Sequence, residues 1–73
     1  MTADRAPTDR QMQVLAFIRA FRNENDMPPT RAEIARHFGW ASANAAEEVL
    51  QRLQDHGLIQ LRGGIARGIR VTA

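Results

Sequence analysis

The chain has 73 residues, 44% of them hydrophobic and 25% charged, and no cysteine. That is room for one domain with an ordinary globular mix, which excludes a second domain within these residues, wholesale disorder, and stapling by disulfides or thiolate-bound zinc. Net charge is only +2, yet all ten basic residues are arginine and none is lysine, which excludes any mechanism that needs a catalytic lysine.

The two histidines, His37 and His56, have no third ligand in an obvious pattern, so neither a metal nor any other cofactor is expected. No apolar run approaches the ~18 residues of a membrane span, and Met1-Thr2-Ala3-Asp4-Arg5 lacks the apolar stretch of a signal peptide. The expected setting is the cytoplasm. Charge is unevenly placed. No acidic residue follows Asp55, whereas Arg62, Arg67 and Arg70 do. Two readings stand: a solvated basic tail, or an electrostatic footprint for nucleic acid, to which arginine's fixed donor fork is suited.

Residues 1–7 carry no periodic pattern and read as a flexible leader, with one domain over 8–73. Thr8-Asp9-Arg10-Gln11 is a capping box, in which threonine and glutamine satisfy each other's backbone amides. Val14, Leu15, Ile18 and Phe21 follow at helical spacing, predicting a helix from Asp9 to about Asn23, before Pro28-Pro29. Thr30-Arg31-Ala32-Glu33 is a second box, followed by the apolar stripe Ile34, Ala35 and Phe38 and stopped by Gly39 in a left-handed cap. A helix of about eight residues does not survive alone in water, so its neighbours must hold it.

Ser42 is a candidate third N-cap. Ala46, Val49, Leu50 and Leu53 then mark one buried face of a longer helix that ends at Gly57. Short helix, tight turn, longer helix is the layout of a helix-turn-helix. Beyond it the period drops to two. Ile59 and Leu61, then Ile69 and Val71, alternate with polar residues on either side of Gly63-Gly64-Ile65-Ala66-Arg67-Gly68. The fold class expected is mainly α (α+β): a winged helix-turn-helix of three helices followed by a two-stranded β-hairpin wing.

A helix-turn-helix presents its second helix to the major groove, N-terminal end first, where each base pair shows a distinct donor–acceptor pattern. The candidate base-contacting residues are Ser42, Asn44, Ala45, Glu47 and Glu48. Asn44 can bridge an adenine edge, Ala45 can touch a thymine methyl, and a carboxylate can accept from cytosine N4. For Glu47 and Glu48 the competing reading is that they only complement the positive end of their helix. Candidate phosphate contacts are Thr30 and Arg31 at a helix start, Arg52, the wing arginines Arg62 and Arg67, and the Gly64 amide. The competing readings are a plain capping box and a plain turn. Phe38 and Trp40 flank the tight turn and are expected to plug the core rather than stack on bases.

These residues carry a resemblance. Met27-Pro28-Pro29-Thr30-Arg31-Ala32-Glu33-Ile34-Ala35, then Ser42, Asn44-Ala45-Ala46-Glu47-Glu48 and Arg67-Gly68-Ile69-Arg70 resemble the N-terminal DNA-binding domain of the LexA repressors in order and spacing. The resemblance implies a winged helix-turn-helix that reads a palindromic operator of CTG-type half-sites as a dimer and represses bacterial SOS and DNA-repair genes until the repressor cleaves itself. It also implies that Ser42, Asn44, Ala45, Glu47 and Glu48 read bases, which reverses the electrostatic reading of the two glutamates.

There are departures. Ala41 stands where the family usually has a basic residue, Ala43 where it often has proline, and Gln51 where it commonly has lysine. Two positive charges are thereby lost, which is expected to weaken binding and to alter the preferred operator. The family's second domain, with its dimer interface and serine–lysine dyad, has no counterpart in these residues. No catalytic residue and no small-molecule substrate are expected. The expected partner is double-stranded DNA, bound by a chain that is monomeric alone and dimeric on DNA or through that second domain. The alternative is a winged-helix protein-interaction module that binds no DNA, a reading the acidic pair and low net charge favour.

Overall fold

Five elements follow one another in the computed structural model, which describes residues 6–72. They are α1 (Asp9–Asn25), α2 (Arg31–Phe38), α3 (Ala43–Asp55), β1 (Ile59–Leu61) and β2 (Ile69–Val71). Most of the expected 1–7 leader lies outside the described residues.

Local chemistry sets the helix boundaries. At the start of α1 the Thr8 hydroxyl accepts from the Gln11 amide (3.2 Å) and the Gln11 side chain accepts from the Thr8 amide (2.9 Å). The helix runs two residues beyond the expected Asn23 and closes at Asp26, whose left-handed backbone (φ 59°) donates to the Arg22 carbonyl. The prolines at 28 and 29 constrain the residues just before them, not Glu24 and Asn25. The second box is also complete, Thr30 and Glu33 exchanging bonds of 2.7 and 3.1 Å.

Both α2 and α3 end in the same way. Gly39 and Gly57 take left-handed conformations (φ 73° and 76°). The residue after each glycine then donates five positions back, Trp40 to the Ala35 carbonyl and Leu58 to the Leu53 carbonyl.

The core is one cluster: Val14, Leu15 and Ile18 from α1, Ile34 from α2, Ala46, Leu50 and Leu53 from α3, and Ile59 and Ile69 from the strands. Each fully buried aliphatic side chain here is worth roughly 1.5–3 kcal/mol, and this shared burial holds the eight-residue α2 in place. Val49, expected on the buried face, is half-buried at its edge. Phe38 and Trp40 pack against the core as expected, rings stacked 5.0 Å apart. His37 stays exposed but stacks on Phe17 at 4.1 Å.

The wing is an antiparallel pair in the register Ile59↔Val71, Gln60↔Arg70, Leu61↔Ile69. Alternation turns Ile59 and Ile69 onto the helices and Gln60 and Arg70 outward. Gln54 of α3 accepts from the Leu61 amide (2.7 Å), and the Thr72 hydroxyl donates to the Gly57 carbonyl (2.6 Å). At the base of the loop Gly68 is buried so tightly that a Cβ there would lie 2.5 Å from the Arg62 carbonyl oxygen.

Candidate nucleic-acid interface

The start of α3 is exposed. Ser42, Ala43, Asn44 and Glu48 face solvent, while Ala45 and Glu47 are half-buried. Ala46, Leu50 and Leu53 point the opposite way, into the core. Ser42 occupies the N-cap position with extended backbone (φ −148°, ψ 160°), but its hydroxyl makes no capping bond, contrary to expectation. The reason is local. The Ala45 amide, the usual donor to such a hydroxyl, instead donates to the Ser42 carbonyl (3.2 Å). Among the described residues the hydroxyl of Ser42 and the amide group of Asn44 have no protein partner.

No acidic residue stands in the first turn of α3. Glu47 and Glu48 therefore lie past the region where the helix end acts on a charge, because that effect fades within one turn. They also differ from each other. Glu47 bonds to Arg31 of α2 and accepts from Gln51 (2.6 Å), and these bonds, Gln51 first, hold its carboxyl below the usual range. Glu48 has no ion-pair partner among the described residues. Gln51 thus supplies a neutral donor to Glu47.

Beside this face lies an open groove of about 580 Å³, lined by Thr8, Arg10 and Gln11 from the start of α1 and by Glu47, Glu48, Gln51 and Arg52 from α3. It places Arg52, paired with Asp55 at 3.3 Å, next to both glutamates. Arg10 itself rests over the Trp40 ring, 5.5 Å from its centroid.

The expected phosphate contacts fall into two groups. Arg62 and Gly64 are exposed on the wing, and Arg62 has no side-chain partner among the described residues. Thr30, Arg31 and Arg67 are already engaged. The Thr30 hydroxyl caps α2 and Arg31 holds Glu47. Arg67 grips Glu33 with both terminal nitrogens (2.8 and 3.0 Å) and donates to the Pro28 carbonyl (2.8 Å). Bonds from Arg67 and from the Thr30 amide pull the Glu33 carboxyl from 4.5 down to about 2. Sequence reasoning took Arg67 and Glu33 separately, and the 34 positions between them give no local signal of pairing. Gln54, which ties α3 to the wing, was likewise not singled out.

Three helices, a glycine-capped turn between α2 and α3, and a hairpin wing define a winged helix-turn-helix. The LexA DNA-binding domain family matches residues 4–68. The chain belongs to that family. It is 55% identical over 65 residues to the LexA repressor of Pseudoalteromonas atlantica, which covers 89% of this chain and 31% of that protein. It is 55% identical over 64 residues to the LexA repressor of Aeromonas hydrophila, covering 88% of this chain and 31% of that protein. LexA repressor 1 of Pseudomonas putida is 50% identical over 64 residues, covering 88% and 32% respectively. The chain therefore spans about a third of the length of the relatives it matches. Among the described residues no helix is long and apolar enough to cross a membrane.

Proposed function

We propose that the chain binds double-stranded DNA sequence-specifically, as the operator-reading domain of a LexA-like transcriptional repressor acting on SOS and DNA-damage genes in the bacterial cytoplasm. The observation that carries this reading is the start of α3, where the exposed Ser42 and Asn44 side chains are neither capping nor paired among the described residues, in a chain of this family. A side chain left without a protein partner at a helix start costs little in water and is available to a base edge.

In this reading α3 lies in the major groove. Asn44 bridges an adenine edge, Ala45 meets a thymine methyl, Ser42 donates or accepts, and Glu48 accepts from cytosine N4. A carboxylate has about four lone-pair sites, and Glu47 spends two of them on Arg31 and Gln51, so it too can accept from a base. Arg52, Arg62, the Gly64 amide and the amides at the start of α2 beside Thr30 and Arg31 hold phosphates, which fix position without reading sequence. With ~3–5 such contacts the salt slope is about −3 to −4. Each copy takes one CTG-type half-site of a palindromic operator. A single copy binds weakly, because avidity across two half-sites is missing.

The test is titration of a CTG-containing duplex and a scrambled one at several salt concentrations. Preference for the first supports the reading, and equal affinities reject specific readout. No shift of any duplex at low salt would favour the protein-interaction alternative instead.

A further inference from the structure

The Arg67–Glu33 pair bridges the wing and the start of α2, and it is the most fully bonded contact between the two. The guanidinium meets the carboxylate fork to fork at 2.8 and 3.0 Å, the paired geometry that adds both strength and direction. A third bond reaches the Pro28 carbonyl, and the cation sits 5.9 Å from the Phe21 ring centroid. Glu33 also accepts from the Thr30 amide, so one carboxylate caps α2 and anchors the wing at once.

A phosphate would have to displace this carboxylate from Arg67. That exchange trades one anion for another and leaves Glu33 uncompensated beside a polyanion, so it gains nothing. The wing, meanwhile, needs an anchor. A two-stranded hairpin is marginal alone, and here each strand has three residues. The Arg62 amide donates to the Gly68 carbonyl (2.8 Å), which couples the free arginine directly to the neighbour of Arg67.

We propose that Arg67 is a positioning residue and not a phosphate ligand: clamped to Glu33, it fixes the wing against α2 and so sets where Arg62 and Gly64 meet the DNA backbone. The clause about DNA rests on the function proposed above; the clamp does not.

The test uses Arg67→Gln, Arg67→Lys, Glu33→Gln and Arg62→Gln in the full 73-residue chain. Glutamine at position 33 can still complete the capping box but cannot form the ion pair. Hydrogen exchange at the Arg62 and Gly68 amides reads the clamp without DNA. Exchange about tenfold faster in both glutamine variants of the pair, with α1 amides unchanged, is the expected result. Unchanged exchange in both overturns the proposal.

Duplex titration across salt supplies the second reading. The clamp predicts that Arg67→Gln and Glu33→Gln each weaken binding about 3- to 10-fold at every salt without changing the slope. Arg62→Gln, by contrast, flattens the slope by about 0.9, the loss of one phosphate contact. Arg67→Lys, which keeps the charge but not the fork, fails to restore binding. The proposal is overturned if Arg67→Gln flattens the slope by about 0.9, if Arg67→Lys binds like the parent, or if Glu33→Gln, by freeing Arg67, tightens binding. Should the parent chain show no duplex preference, the DNA reading fails, and exchange alone decides the clamp.

Discussion

The starts of α2 and α3, the two helices joined by the tight turn, are built oppositely. At α2 the polar side chains are spoken for: Thr30 and Glu33 cap each other, Arg67 holds Glu33, and Arg31 reaches Glu47. At α3 the cap residue makes no side-chain cap bond, Asn44 has no side-chain partner among the described residues, and the first turn carries no acid. A helix of eight residues requires satisfied ends to persist. The α3 helix has thirteen residues and a fully buried stripe, so it stays folded with a bare start. The contrast separates groups committed to holding the fold from groups that make no protein bond among the described residues, and it is open to mutation.

The largest effect is expected at the free end. Asn44→Ala costs about 1–3 kcal/mol of binding and relaxes the preference at one base pair, while its melting temperature stays near the parent's; calorimetric melts beside duplex titrations check both halves. The committed end behaves inversely. Thr30→Ala costs about 1 kcal/mol of stability and leaves the ratio between cognate and scrambled duplexes unchanged, since phosphate-side contacts carry no sequence.

Acid sharpens the contrast further. The Glu33 carboxyl titrates lower in the folded chain than its ordinary 4.5, at about 2, so its contribution is present above pH 4.5 and is lost as pH falls toward 2. Denaturant melts between those limits are therefore expected to show the parent losing stability relative to Glu33→Gln. The smallest effect belongs to Ser42→Ala. With no cap bond to lose, it should change stability by a few tenths of a kcal/mol at most, against ~1 kcal/mol for an ordinary N-cap. A loss as large as that of Thr30→Ala would mean the Ser42 hydroxyl caps α3 after all.

Much of this contrast is visible in the sequence, and what is hidden has one cause. Capping boxes and glycine stops act within about four positions, so Thr8–Gln11, Thr30–Glu33, Gly39 and Gly57 announce the helices directly, and period-two alternation announces the strands. The end of α1 is less legible because Asp26 takes a conformation that usually marks glycine or asparagine. Residues of the exposed α3 face can be named from helical spacing alone. Which of them are already engaged cannot, because the engagements cross the fold: Arg31 with Glu47 sixteen positions away, Arg67 with Glu33 thirty-four away. Serine before a helix likewise reads as a cap, and only the backbone geometry shows the Ala45 amide spent on the Ser42 carbonyl.

Trp40 gives the molecule a built-in optical reporter. It is the chain's single tryptophan, and there is no tyrosine, so ultraviolet emission comes from one place. That place is the turn itself, two residues before Ser42, with the indole half-shielded between Phe38 and Arg10. Fluorescence from the unlabelled chain therefore registers any rearrangement of this joint, whether from denaturant or from an oligonucleotide seated alongside it.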